Sequence, residues 1–130
     1  MPTRVPDELR YTQDHEWVRA EGDQLTVGIT DHAQSELTDV VFVDLPAKGK
    51  TLGEHDVALT LESVKTVAEV YSPAAGTLTE ANPDLRTHPE YVNQDPYGKG
   101  WIFRMRPSAP PAGLLSAAEY RKLLETSAHS

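Results

Sequence analysis

The chain has 130 residues and a mass of 14.3 kDa, which suits one domain with a hydrophobic core and is too short for a two-domain enzyme. Twelve basic and twenty acidic residues leave a net charge of −8 with no basic cluster, so nucleic acid is not an expected partner. The absence of cysteine excludes disulfides, a thiolate nucleophile and cysteine metal sites, so sulfur chemistry would have to come from a cofactor. We expect a cytoplasmic protein without membrane contact, because the sequence shows neither a signal peptide nor about 18 consecutive apolar residues.

Short runs of β-branched and aromatic residues predict strands at 15–20, 23–29, 40–45, 56–64 and 100–106. Turns rich in proline and glycine separate these runs at the spacing of an antiparallel barrel or sandwich. A short helix is predicted from Asp31 to about Thr38, with Asp31 as its cap. The fold class is therefore predicted to be mainly β, with small helical additions.

The segment from Val57 to Tyr71 fits both a helical and an alternating pattern. Its content of valine and threonine favours two strands with a bend near Ser63 to Lys65, although no glycine, asparagine or proline marks that bend. A second pattern is the repeat of a PAxG turn that leads into a strand, at Pro46–Gly49 and again at Pro73–Gly76. This repeat indicates pseudo-symmetry between two parts of the chain.

The C-terminal region predicts a helix over about 116–125, where Ser116 and Glu119 form a capping box and Leu115 and Tyr120 form a hydrophobic staple. The proline-rich stretch at 108–113 is predicted to be an extended connector to this helix. We therefore predict a single domain over 1–130, with its core at about 11–107.

Sequence patterns of self-sufficient enzymes are absent: there is no GxSxG elbow, no P-loop and no complete dinucleotide fingerprint. No metal site is expected, because the histidines have no metal-binding spacing, and we interpret them as solvated or structural. They are His15, His32, His55, His88 and His129. Aromatic residues within strand patterns, Trp17, Trp101 and Phe103, are predicted to be core. Asn93, Asp95, Pro96 and Gly98 are predicted to form a loop.

Lys65 stands out because it is the only lysine or arginine between Lys50 and Arg86, in a stretch that contains six acidic residues: Glu54, Asp56, Glu62, Glu69, Glu80 and Asp84. Neighbouring carboxylates favour the ammonium form, so this amine is not suited to act as a general base or to form a Schiff base. An exposed attachment point fits better. The alternative is a solvated surface charge.

The motifs around Lys65 and along the chain resemble those of one family. They are YTQDHEWV, VGITDHAQSELTDVVFVDLP, LESVKTVAEVYSPAAG, VNQDPYGKGWIFRMRP and AAEYRKLL. In this order, from Tyr11 to Leu124, they resemble the H protein of the glycine cleavage system. The resemblance implies a flattened lipoyl-type barrel-sandwich made of two quasi-symmetric halves, which would explain the PAxG repeat. It places the modified lysine on a hairpin turn and a C-terminal helix outside the sheets.

The resemblance also implies the function. Lys65 matches the lysine that carries lipoic acid in an amide linkage, and the domain itself is a non-catalytic carrier. Its implied partners are a pyridoxal-phosphate glycine decarboxylase, which loads an aminomethyl group, and a tetrahydrofolate-dependent aminomethyltransferase. A flavin-dependent dihydrolipoyl dehydrogenase then reoxidises the arm, and lipoate-attachment enzymes supply it.

Family members fold the loaded arm into a cleft near carboxylates, and Glu16 and Glu69 are the matching positions here. Glu69 replaces the usual aspartate, and Thr38 stands where a glycine is usual. Glu16→Gln is therefore expected to shorten the lifetime of the loaded carrier.

Other carriers fit the sequence less well. A lipoyl domain of a 2-oxoacid dehydrogenase would show Asp-Lys where this chain has Val64 and Lys65, and a biotin carrier would show methionine on both sides. Two alternatives stay open: an H-like protein that donates lipoate to other enzymes, and an unmodified β-domain that acts as an interaction module.

Overall fold

The computed structural model describes residues 4–111 and 113–128, so Met1–Thr3, Ala112, His129 and Ser130 lie outside the described residues. Within the described residues there are nine strands: β1 Arg10–Tyr11, β2 Glu16–Glu21, β3 Gln24–Ile29, β4 Val40–Asp44, β5 Thr51–Leu52, β6 Val57–Ser63, β7 Val67–Tyr71, β8 Gly76–Ala81 and β9 Phe103–Pro107. The helices are α1 Asp31–Leu37, α2 Tyr91–Gln94 and α3 Ala117–Ala128, with a 3₁₀ turn at Pro83–Arg86. No helix in this part of the chain has the length and hydropathy needed to cross a membrane.

The strands form two antiparallel sheets, which confirms the predicted fold class. The larger sheet has the order β1-β2-β3-β9-β8-β5 and the smaller one has the order β4-β6-β7. Aliphatic side chains from both sheets meet in one core, among them Val27, Val43, Leu61, Leu78 and Met105. Burial of this apolar surface supplies the main driving force for the sandwich.

The two strands that follow the PAxG turns pair with each other. Thr51 of β5 lies opposite Thr77 of β8, and Leu52 lies opposite Gly76. Gly76 also has to be glycine, because a Cβ there would lie 2.2 Å from the carbonyl oxygen of Arg106. The repeat seen in the sequence therefore corresponds to a paired unit in the structure.

The predicted bend between β6 and β7 is confirmed, and its cause is a serine. The Ser63 hydroxyl accepts hydrogen bonds from the backbone N–H groups of Lys65 at 3.1 Å and Thr66 at 3.0 Å. The backbone N–H of Ser63 donates to the carbonyl of Thr66 at 2.8 Å, which closes the turn. Serine can stabilise a turn in this way, which explains how the bend forms without glycine, asparagine or proline.

Helix α1 forms where predicted, but its cap is Thr30 rather than Asp31. The Thr30 hydroxyl accepts from the Ala33 N–H at 3.2 Å, while Asp31 lies in the first turn and accepts from the side chain of Gln34 at 2.7 Å. The predicted cap was one residue too late, because both residue types can cap.

Helix α3 begins with the predicted capping box. The Ser116 N–H donates to the Glu119 carboxylate at 2.8 Å, and the Glu119 N–H donates to the Ser116 hydroxyl at 3.2 Å. The helix packs over a second cluster of buried side chains, referred to below as the aromatic cluster: Val5, Leu9, Tyr11, Trp17, Tyr97, Ala117 and Tyr120. Within it, Tyr120 stacks on Tyr11 with ring centroids 4.6 Å apart.

Two predictions near the last strand need correction. The strand begins at Phe103 rather than at residue 100, because the Gly100 N–H donates to the carbonyl of Asp95 and extends the preceding loop. Trp17 and Phe103 are fully buried as predicted, but Trp101 is only half-buried and lies under the guanidinium of Arg104.

The predicted loop around 93–98 contains a short helix that the sequence did not indicate. Asn93 lies in α2 rather than in the loop. Its side chain accepts from the Val40 N–H at 2.8 Å and donates to the Thr38 carbonyl at 2.7 Å, so it connects α2 to the segment between α1 and β4.

Candidate functional site

Lys65 lies at the exposed tip of the β6–β7 hairpin. Apolar side chains around it are unusually open to solvent: Val64 is 68% exposed and Val67 is 60% exposed. Phe42 of β4, which is opposite Glu62, is 50% exposed on the same sheet. The tip therefore presents an amine among apolar side chains to any protein that approaches it, and such exposed patches mark interaction sites.

A groove of about 520 Å³ begins at this tip, and we refer to it as the Lys65 groove. Aliphatic side chains line one part of it: Ile29, Ala33, Leu37, Leu61, Ala68 and Val70. Polar side chains line the rest: Asp14, His15, Glu16, His32, Glu36, Lys65, Thr66 and Glu69. Among these lining residues Lys65 is the only lysine or arginine, so the groove is acidic apart from the amine at its mouth.

Glu16 is the buried acid of the Lys65 groove, with only 1% of its surface exposed. Its Oε1 accepts from the Thr12 hydroxyl at 2.7 Å, and its Oε2 accepts from the Tyr71 N–H at 3.1 Å. Burial nevertheless raises the pKa of the Glu16 carboxyl to about 7, because a buried carboxylate loses its hydration. A cation beside this carboxyl would lower its pKa and favour the ionised form.

Glu69 lines the same groove but lies at its exposed rim on β7. Its carboxylate accepts from the Tyr71 hydroxyl at 3.1 Å, and Tyr71 also donates its N–H to Glu16. Tyr71 thus contacts both carboxylates. The structure brings Lys65, Glu16 and Glu69 into one groove, although 49 residues or more separate Glu16 from the other two in sequence.

Several groove residues were not predicted to take part in a site. His15 and His32 were interpreted as solvated or structural, yet both line the Lys65 groove, with ring centroids 4.8 Å apart. Asp14 and Glu36 line it as well. The available signal was their position inside the YTQDHEWV and VGITDHAQSELTDVVFVDLP motifs, since a motif that carries a family resemblance is a place to look for functional side chains.

The groove suits a long, mostly apolar group attached to Lys65. Its aliphatic wall can cover an alkyl chain, while the buried Glu16 and the exposed Glu69 can accept hydrogen bonds from an amine. Acylation would remove the positive charge of Lys65, which is the only lysine or arginine among the residues that line the groove. These residues therefore fit an amide-linked acyl arm with a cationic end.

Comparisons with known proteins agree with this geometry. A family model described as glycine cleavage H-protein matches residues 9–127. The chain is 50% identical over 127 residues to the glycine cleavage system H protein of Herpetosiphon aurantiacus, covering 98% of each chain. It is 54% identical over 121 residues to that of Rubrobacter xylanophilus, covering 93% of this chain and 95% of the relative.

A solved structure is similar throughout. The crystal structure of a glycine cleavage system H protein from Mycobacterium marinum aligns with a TM-score of 0.87 and 38% sequence identity, covering 93% of this chain and 99% of that one. The agreement of sequence, fold and site geometry leads to one conclusion: the chain belongs to the glycine cleavage H-protein family.

Proposed function

We propose that this chain is the lipoyl carrier of a glycine cleavage system, with lipoic acid amide-linked to Nζ of Lys65. The observation that carries the proposal is the position of Lys65, an exposed amine at a hairpin tip that opens into a groove with an aliphatic wall and a buried acid. The lipoyl group would supply a disulfide that is reduced as it takes up the aminomethyl unit, and a dithiol that later gives its electrons to the dehydrogenase. The chain contributes position and shelter rather than catalysis.

The hairpin holds the attachment point outside the body of the domain. Ser63 fixes the backbone on both sides of Lys65, so the amine projects from a defined turn. A tethered group reaches a partner's active site at a high effective concentration once the carrier has docked. The role of the β6–β7 hairpin is thus to present the arm while the sheets remain outside the partner.

The Lys65 groove offers the loaded arm a place away from water. Its aliphatic wall lowers the local polarity, which strengthens the attraction between a cationic amine and the Glu16 carboxylate. Thr12 and Tyr71 hold that carboxylate in place. Glu69 lies at the exposed rim, where solvent screens its carboxylate, so it would attract the same amine more weakly.

Four kinds of enzyme are the proposed partners: a pyridoxal-phosphate glycine decarboxylase, a tetrahydrofolate-dependent aminomethyltransferase, an FAD-containing dihydrolipoyl dehydrogenase and a lipoate-attachment enzyme. Each must approach the hairpin tip, where Val64 and Val67 provide apolar contact. The net charge of −8 favours partners with basic rims around their active sites. A cytoplasmic location is part of the same proposal.

Intact-mass measurement tests the proposal. The chain is expressed with lipoate and a lipoate-attachment enzyme, and a lipoyl mass addition is expected on the peptide that contains Lys65. Lys48→Arg is the control, since Lys48 is also an exposed lysine and lies outside the hairpin. A chain that stays unmodified under conditions that lipoylate a known carrier would contradict the proposal and support an unmodified interaction module.

A second assay separates a glycine cleavage carrier from a lipoate donor. The lipoylated chain is mixed with the decarboxylase and glycine, and exchange of the glycine carboxyl with labelled bicarbonate is followed. Carrier function requires this exchange to depend on the lipoylated chain. Transfer of lipoate to another acceptor domain, without any glycine–bicarbonate exchange, would instead support an H-like protein that donates lipoate to other enzymes.

A further inference from the structure

The hydroxyl of Tyr120 connects three segments of the chain at the Lys65 groove. It lies 2.7 Å from Nδ1 of His15 and 2.7 Å from Oγ1 of Thr30. Tyr120 belongs to α3 and is 105 residues away from His15 in sequence. His15 precedes β2, and Thr30 caps α1, whose residues His32 and Leu37 line the groove. Tyr120 itself does not line the groove, so its influence must act through His15 and Thr30.

Hydrogen-bonding requirements set the direction of these two bonds. Thr30 is fully buried, and its oxygen already accepts from the Ala33 N–H. The Thr30 proton still needs an acceptor, and Oη of Tyr120 is the one within reach among the described residues. Thr30 therefore donates to Tyr120, and Tyr120 donates to Nδ1 of His15. A His15 that accepts at Nδ1 is neutral and carries its proton on Nε2.

Protonation of His15 would disturb this arrangement. An Nδ1–H group would have to donate to Oη of Tyr120, and one of the two hydroxyl protons of Tyr120 and Thr30 would then lose its acceptor in a buried site. Burial also lowers the pKa of His15, and the nearby His32 lowers it further. Geometry and electrostatics thus favour the neutral imidazole.

The other titratable and charged groups around His15 come from every neighbouring segment. They are Asp14 and Glu16 beside it, His32 and Glu36 on α1, and Lys65 and Glu69 of the hairpin. Asp14 and Glu36 oppose the lowering of the His15 pKa. The hydroxyl of Tyr120 is the neighbour that bonds directly to the imidazole.

We propose that Tyr120 is a positioning residue of the Lys65 groove, whose hydroxyl holds His15 as a neutral imidazole with its proton on Nε2. The part of this inference that concerns the aminomethyl group on the arm rests on the proposed function. A neutral His15 adds no positive charge to the groove that it lines together with Glu16. A charged His15 would repel a cationic amine in that groove.

Nuclear magnetic resonance of the unmodified full chain tests the tautomer without any enzyme assay. Long-range proton–nitrogen spectra are recorded from about pH 5 to about pH 8, the range in which histidines titrate. In the wild type, the His15 proton is expected on Nε2, with Nδ1 shifted as a hydrogen-bond acceptor. In Tyr120→Phe the Nδ1 signal should lose that shift and the pKa of His15 should rise. A wild-type proton on Nδ1, or an unchanged His15 in the variant, would overturn the proposal.

Tyr11→Phe is the matched control. Tyr11 is buried like Tyr120 and stacks on it, but its hydroxyl donates to the carbonyl of Pro6 at 2.6 Å and not to His15 or Thr30. This substitution should leave the His15 signals unchanged. If Tyr120→Phe does not fold, the wild-type tautomer alone still decides the proposal.

The lipoylated chain supplies the second readout, the lifetime of the loaded carrier as a function of pH. Loss of one hydrogen bond predicts a lifetime about fivefold shorter for Tyr120→Phe near pH 6, and no difference near pH 8, where His15 is neutral in both proteins. An equal loss at every pH would indicate a merely structural role and contradict the proposal. Failure of lipoylation would defeat the proposed function but leave the tautomer result standing.

Discussion

The two ends of the Lys65 groove are built in opposite ways. At the hairpin tip, Lys65 is exposed, and the turn is held by hydrogen bonds that the Ser63 hydroxyl accepts from backbone N–H groups two and three positions along the chain. At the inner end, Glu16 is buried, and its partners Thr12 and Tyr71 are 4 and 55 residues away. One end is a local structure, and the other exists only when distant segments have packed.

This contrast matches the two tasks of a carrier. An attachment point must be reachable by several enzymes, which requires exposure and a turn that tolerates contact. A shelter for a labile cargo must exclude water, which requires burial and therefore a folded core. Substitutions at the tip should thus change modification and activity with little effect on stability, whereas substitutions at the inner end should change both.

Lys65→Arg should have the largest effect. We expect no lipoyl mass addition and complete loss of glycine–bicarbonate exchange, because a guanidinium does not form the amide. Stability should stay within about 0.5 kcal/mol of the wild type, since the side chain is exposed. Mass spectrometry, the exchange assay and chemical denaturation check these points, with Lys48→Arg as control. Unfolding of the variant would show that Lys65 is structural.

Glu16→Gln should shorten the lifetime of the loaded carrier by about tenfold, the size expected for losing a charge-assisted hydrogen bond in a buried site. Glu69→Gln should shorten it only about twofold, because exposed ion pairs are weak. The decay of radiolabelled loaded carrier measures both. Glu62→Gln, an exposed carboxyl of β6 outside the groove lining, is the control and should have no effect. An unchanged lifetime in Glu16→Gln would remove Glu16 from the site.

Glu16 should also make stability depend on pH. Its carboxyl has a pKa of about 7 in the folded chain against 4.5 for an exposed glutamate, so the folded state binds more protons between these values. Stability is therefore lost as the pH rises through about 7, and the loss should approach about 3 kcal/mol. Glu16→Gln should lack this loss in denaturation experiments at a series of pH values.

His15 acts in the other direction, because its lowered pKa costs stability as the pH falls below the ordinary histidine value of 6.5. Since His15 is present in both proteins, the difference between wild type and Glu16→Gln isolates the carboxyl. A difference that does not vary with pH would show that Glu16 is not desolvated.

Ser63→Ala should have the smallest effect. It removes the acceptor for the Lys65 and Thr66 N–H groups, and in an exposed turn this should cost about 1 kcal/mol or less. We also expect slower lipoylation, because the attachment enzyme meets a less defined turn. Melting temperature and a time course of the mass addition check this. Ser35→Ala, on the exposed face of α1, is the control, and equal rates for both variants would contradict this role of the turn.

Local patterns were sufficient for the elements whose cause is local. The capping box of α3, the short helix α1 and the strands β2, β3 and β6 follow from residue type and spacing, which act over a few positions. Lys65 could also be singled out from sequence, because it is the only lysine or arginine between Lys50 and Arg86 and lies in the LESVKTVAEVYSPAAG motif. The single-domain boundaries remain a prediction.

Other features depended on contacts between distant residues. Trp101 fits a strand pattern, yet the contact between Gly100 and Asp95 keeps it outside the strand and half-buried. The site showed the same limit: Glu16 was proposed from the family resemblance alone, and nothing in the local sequence indicated that it is buried or that His15 bonds to Tyr120.

The sequence by itself determined the mainly β class, the capping box of α3 and the lone lysine of an acidic stretch, because propensity, capping and charge pattern are properties of neighbouring residues. Only the tertiary structure decided that a groove connects this lysine to a buried carboxyl, and that a tyrosine of the last helix bonds to the histidine beside it. Burial and the pKa changes it causes arise from packing between segments that are far apart in the chain, so no local pattern records them.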